Sequence, residues 1–242
     1  MKIKSQAKHS GSKMSPDNTD EGVENERIAA GCFSSWLRRI RYALLTDTGM
    51  NVPCAECRGC CSSSYFIHIR PEEKRTLARI NNRLLFPAPG LPKGNMLLGY
   101  FSDGACPMLT ENGCMIYTDR SKTCRSYDCR IFTAAGIRAG GKGKKKVNQR
   151  LEKWEFSYPT NMDRIQHDTV KTAATFMFHN KNNFPDGYIP DNPSLLAVAA
   201  LRVYPVFLRR PIGNMKKCSR ETVMEFVQQI IEENRRFTAA CR

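Results

Sequence analysis

The sequence has no apolar run of the eighteen or so residues that a membrane-spanning helix needs. Its opening, MKIKSQAKHSGSKMSPDNTDEG, has basic residues but no apolar stretch of the kind a secretory signal carries. Both absences lead to the expectation of a cytoplasmic globular protein. Acid is also short: 23 Asp and Glu face 38 Lys and Arg, a formal charge of +15. That surplus suits an anionic partner such as nucleic acid or a phospholipid surface, although ionised thiols inside the protein would offset part of it. With 4 histidines, no H-E-x-x-H and no i, i+4 pair, a helical histidine metal site is not indicated. The stretch GIRAGGKG, residues 136–143, approaches the spacing of a phosphate loop, but Gly143 stands where the magnesium-binding Ser or Thr belongs. No internal repeat occurs.

Cysteine is what the chain has in excess. Of its 11 cysteines, Cys54, Cys57, Cys60, Cys61, Cys106, Cys114, Cys124 and Cys129 fall between positions 54 and 129. The run CAECRGCC repeats the two-residue gap that lets a tight turn aim two sulfurs at one centre, and Gly59 gives the loop freedom to bend. In a reducing compartment such a cluster points to metal rather than to disulfides. Thiolates in this number suit zinc or an iron-sulfur cluster. A C-x2-C-x2-C run with a distant Cys106-Pro107 favours a four-iron (4Fe-4S) cluster, whereas eight thiols also divide into two four-sulfur zinc sites. Adjacent Cys60 and Cys61 would then serve different centres.

Periodicity supplies the frame. Residues 1–24 are polar and aperiodic and read as a disordered tail, leaving 25–242 as a single domain with a cysteine-cluster region at 54–130 and a helical part at 150–240. Apolar residues at helical spacing predict a helix from Glu26 to Leu45, containing Ile28, Phe33, Trp36, Leu37, Ile40 and Leu44. Tyr65–Ile69 reads as a strand, Pro71 opens a helix carrying Leu77, Ile80 and Leu84, and Phe86–Asn95 reads as a loop. GIRAGGKGKKK reads as a mobile basic loop. Three helices close the chain: Ile165–Phe178 behind a Thr160/Asp163 capping box, one begun by Asn192 and Pro193, and one capped by Ser219. The fold class is mainly α, with a small irregular, short-strand cysteine-rich region whose metal-stapled loops pack on a helical core. Trp36, Phe176, Phe178 and Phe226 are expected in that core.

CAECRGCC, the helix opening at PEEKRTL, and CPMLTENGCMIYTDRSKTCRSYDC resemble, in order, the YkgJ-type cysteine-cluster family, the zinc- or iron-chelating domain written CxxCxxCC. CRIFTAAGI and the W-x-F-x-Y of Trp154–Tyr158 are similar too. Thr118–Ser121 departs from the Glu-Arg-Pro-like sequence of many members, without removing a thiol. The resemblance implies that all eight named cysteines bind metal. Flagellin lysine N-methylases share the pattern, which implies S-adenosylmethionine-dependent methyl transfer as an alternative; no glycine-rich nucleotide loop follows a strand here. A zinc-stapled nucleic-acid binder, motivated by GKGKKK, is a second alternative, and a protein partner a further expectation. His68, His167 and His179 read as structural, and Cys32, Cys218 and Cys241 as small apolar residues. Asp128, Arg125 and Arg130, beside the cysteines, read either as tuning groups or as charge compensation.

Overall fold

The computed structural model describes residues 27–50, 52, 57–212 and 218–240. The expected polar tail, Cys54 and Cys241 lie outside the described residues. The fold is mainly α with small sheets.

The first element is not helical throughout. Ile28–Cys32 is a strand, β1, and only Phe33–Thr46 is helix, α1. The reason is Gly31, whose φ of +92° breaks the helical path and makes a bulge where β1 pairs in parallel with Trp154–Ser157, strand β7. Cys32 then caps α1 with extended backbone, and the predicted stripe of Phe33, Trp36, Leu37 and Ile40 is buried.

Three capped helices match their expected starts. Asn161–His179, α6, carries the Thr160/Asp163 capping box, with the Asp163 carboxylate accepting the Thr160 amide at 2.9 Å. Pro193–Val203, α7, begins where the Asn192 side-chain oxygen, Oδ1, accepts the Ser194 amide at 2.9 Å. Arg220–Ala239, α9, begins where Ser219 accepts the Thr222 amide. With α1, Arg130–Ala135 (α4) and Pro205–Arg209 (α8), these enclose a large core around Phe33, Trp36, Phe132, Phe176, Leu201 and Phe226. Phe178, expected inside, is 65% exposed; it faces away from that core.

A second, smaller core holds Ile69, Ile80, Leu98, Met108 and Ile116. It lies against a three-stranded antiparallel sheet in which Met96–Leu98 (β4) sits between Ile67–Ile69 (β2) and Leu85–Pro87 (β3). The helix expected at Pro71 is Lys74–Arg79 (α2), because Glu73 turns its carboxylate back to accept the Arg70 amide at 2.8 Å and sets the cap there. Leu84 belongs to a separate 3-10 turn, Asn82–Leu84. Leu109–Thr110 (β5) and Gly113–Cys114 (β6) form a hairpin, and Lys122–Ser126 (α3) docks on β2 through a 2.7 Å bond from the Thr123 hydroxyl to the His68 carbonyl.

The basic stretch is also corrected. Lys145–Lys153 is a helix, α5, and the preceding Lys144 is anchored: its ammonium donates to the carbonyls of Ser63 and Ser64 and stands 3.5 Å from the centroid of the Tyr65 ring. Paired carbonyls and a ring face fix a cation that glycine and lysine content alone would leave mobile.

Candidate metal centre

The cysteine loops run along the seam between the two cores. Cys60–Ser62 is a 3-10 turn. Behind it the buried Ser63 hydroxyl donates to the Gly59 carbonyl and accepts the Val147 amide at 3.2 Å, tying the turn to α5. A Cβ at Gly59 would lie 3.4 Å from the Lys146 carbonyl, the Val147 Cα and the Cys57 sulfur, so the backbone there runs close against the helix.

From that turn the chain is joined to the second cysteine group through its backbone. The Cys106 amide donates to the Cys61 carbonyl at 2.7 Å, and the β5–β6 hairpin sets Cys114 opposite Leu109. Cys124 lies in α3, whose Ser121 cap accepts the Cys124 amide at 3.2 Å. Cys129 caps α4 and receives the Trp154 indole N–H at 3.2 Å.

Seven of the eight expected ligands, Cys57, Cys60, Cys61, Cys106, Cys114, Cys124 and Cys129, line one cavity of about 690 Å³. Cys60 and Cys61 place their sulfurs 3.9 Å apart. Cys54 lies outside the described residues. No three Cys, His, Asp or Glu side chains among the described residues stand close enough together to hold a metal ion. The fit to a soft metal therefore rests on the donors and their surroundings, and it is good. The Gly59 amide donates to the Cys57 sulfur at 3.4 Å, and the amides of Met108 and Ile116 do the same for Cys106 and Cys114. Each donor lies two residues after its cysteine, an arrangement that favours the thiolate.

The thiols' acidities show why a metal would matter. Burial pushes Cys106 up to about 12, the Met108 amide opposing only part of it. Burial likewise raises Cys114 and Cys124, and a charge on Cys61 adds to both, while Arg120 works the other way. Cys61 is instead drawn down, to about 7, by the hydrogen bond from Cys60. Cys106, Cys114 and Cys124 are thus neutral near pH 7 until a cation takes the place of their protons.

The remaining expectations divide. His68 bonds Asn95 at 2.8 Å, and His167 is buried between the Tyr158 hydroxyl (2.7 Å) and the Phe33 ring, so both are structural. Cys32 is more than a small apolar residue, since its thiol donates to Asp163 at 3.1 Å. Asp128 and Arg130 form a buried pair at 2.8 Å, with Asp128 also accepting the Trp36 indole N–H at 2.9 Å. Arg125 instead turns to Glu73 at 3.9 Å. Sequence spacing missed the contact of Trp154 with Cys129 and the Tyr65–Tyr127 hydroxyl pair at 3.0 Å beside the cavity, because neither partner is local.

Residues 53–152, about two fifths of the chain, match the CxxCxxCC family model, described as a putative zinc- or iron-chelating domain. No curated protein and no solved structure matches the chain. No helix among the described residues is long and apolar enough to cross a membrane.

Proposed function

We propose, from the CxxCxxCC domain that residues 53–152 carry, that the protein is a metal-binding protein whose ligands are Cys54, Cys57, Cys60, Cys61, Cys106, Cys114, Cys124 and Cys129. The observation that carries this reading is the common cavity: seven thiols separated by up to 72 positions in sequence (Cys57 to Cys129) open onto one space. Zinc bound there would be a structural staple, whereas a 4Fe-4S cluster would add electron transfer. The protein's own part is to converge the sulfurs, to donate backbone N–H groups to them, and to bury them from water. The small core, with few fully buried side chains, gains most from such a staple.

The lysine methylase-like alternative has no observation of its own among the described residues. A nucleic-acid interface at GKGKKK loses part of its motive, because Lys144 is occupied by Ser63, Ser64 and Tyr65. The test is elemental analysis with a visible spectrum on full-length protein purified without oxygen and without a metal-affinity tag. Zinc in a colourless protein, or iron with acid-labile sulfide in a brown one, supports the reading and names the metal. Protein free of both, or full metal content in the Cys57→Ser/Cys60→Ser variant, sinks it.

A further inference from the structure

We infer that the groove between the end of α6 and the start of α7 is a docking site for a short acidic segment of a partner protein. One apolar side chain of that segment fills the groove, and the acidic residues beside it meet Lys142, Lys145 and Lys146. The groove shares no residue with the lining of the cysteine cavity, and the inference does not depend on the metal-binding reading.

The groove is built from carbon. Ile137, Phe178, Ile189, Pro190, Pro193 and Leu196 line a space of about 220 Å³. Ile189 and Leu196 are buried, while Phe178, in the last turn of α6, keeps 65% of its surface exposed. Charged groups at the edge are matched one for one: Lys181 pairs with Asp191, and Arg138 pairs with Glu152 at 2.7 Å. An aromatic ring held in water beside an apolar depression with a charged rim is the pattern of a recognition surface, unlike a single scattered exposed residue.

Unmatched charge lies to one side of this groove. A Cβ at Gly140 would stand 2.9 Å from the Pro193 Cγ, so the loop that follows α4 rests against the groove wall. Asn148 of α5 holds the same loop, accepting the Ala139 amide at 2.9 Å and donating to the Ala139 carbonyl at 3.0 Å. The chain then runs directly into Lys142, Lys145 and Lys146, all exposed. Among the described residues the ion-paired lysines are Lys122, Lys171 and Lys181, so these three carry charge that the protein itself leaves unmatched. Lys144, turned inward onto the Ser63 and Ser64 carbonyls, fixes the segment that displays them.

An acidic peptide suits this arrangement better than a nucleic acid does. Aliphatic and aromatic walls take a Leu, Met or Phe side chain, whereas a base in the same place would bury its polar edges without partners. The apolar anchor supplies affinity, and the lysines beside it set the orientation and speed the encounter.

The test is fluorescence anisotropy of full-length protein with a fluorescein-labelled peptide in which pairs of Glu alternate with single Phe residues. Saturable binding that weakens with salt is expected. Phe178→Ser should weaken it about tenfold, the usual effect of losing a central aromatic anchor. Lys142→Ser/Lys145→Ser/Lys146→Ser should weaken it too and remove most of its salt dependence. The two contributions are also read on unaltered protein, with peptides carrying Gln for Glu or Ser for Phe, so the outcome does not hang on the folding of a variant. Absence of saturable binding by the Glu–Phe peptide, or equal affinity for its Ser-for-Phe form, overturns the inference. Tighter binding of a labelled thymidine oligonucleotide than of the peptide overturns it as well, and assigns the lysines to nucleic acid.

Discussion

Replacing Asp128 with alanine tests how the large core holds the cysteine at its edge. The Asp128 side chain is fully buried and that of Arg130 is 7% exposed. The carboxylate accepts four N–H groups: the Trp36 indole at 2.9 Å, the Arg130 amide at 3.0 Å, and the guanidinium through Nε at 2.9 Å and Nη2 at 2.8 Å. Arg130 spends another N–H on the Ala30 carbonyl at 3.0 Å, so the pair joins α1, β1 and α4. Removing the carboxylate leaves a buried guanidinium without its counter-charge and a buried indole N–H without its acceptor. Breaking a buried pair from one side costs about 3–5 kcal/mol. For a chain of this size that is a fall in Tm on the order of 6–20 °C.

The asymmetry of the pair makes the reasoning refutable. Asp128→Leu with Arg130→Met removes both charges and leaves apolar atoms in their place, so it should cost clearly less than the two single changes added together, with a coupling of about 2 kcal/mol or more. The assay is denaturant unfolding of metal-loaded protein followed by the fluorescence of Trp36 and Trp154, both buried. Asp128→Ala costing under about 1 kcal/mol, or single and double variants adding without coupling, would show that the pair is solvated in solution and would refute the network.

Other expectations follow from single contacts. Burial holds His167 neutral, with its pKa lowered to about 4 from an ordinary 6.5. Its protonation is thus favoured in the unfolded chain: stability is complete above about pH 6.5 and is lost as pH falls towards 4, and His167→Gln should flatten that part of a pH–Tm curve. Lys144→Met should cost about 1–3 kcal/mol by leaving the Ser63 and Ser64 carbonyls without their donor, while alanine at the exposed Lys142, Lys145 and Lys146 should change Tm little; equal effects at all four would count against the anchor. Chelation of bound metal should speed hydrogen exchange at Ile69, Leu98 and Ile116 more than at Phe132 or Val170, since the small core has less apolar packing to fall back on; uniform protection loss would contradict the staple.

What could be read from the sequence was local chemistry. Thr160 with Asp163, Asn192 with Pro193, and Ser219 each set a helix start through bonds within a few residues, and each start is where the spacing puts it. The close spacing of Cys60 and Cys61 is local in the same way, since both lie in the one 3-10 turn Cys60–Ser62. Non-local pairings were illegible. Ile28–Cys32 has helical apolar spacing, but its pairing partner Trp154–Ser157 lies over a hundred residues away, and Gly31 was the one local sign of a break. Lys144 is fixed by carbonyls about eighty positions upstream, which composition cannot register. Phe178 obeys the period of its helix yet faces outward, since period selects a stripe but not where the neighbouring helices end.

The charge surplus gains a different meaning once its cations are located. Arg130 is neutralised inside the protein by Asp128, and Arg41 is turned onto the Leu201 and Arg202 carbonyls and the ring faces of Tyr204 and Phe237. Lys144 is bound to the cysteine loop, and Arg120 favours the charged forms of Cys114 and Cys124. Arg58 and Arg150 line the same cavity. A zinc held by four thiolates keeps about two negative charges, and nearby guanidinium groups would offset them. Basic residues placed around buried sulfur account for part of the +15 without any outside partner. If so, neutralising Arg120, which faces Cys114 and Cys124, should weaken the protein's retention of bound metal against a competing chelator. An unchanged rate of metal loss in Arg120→Gln would return that charge to the surface.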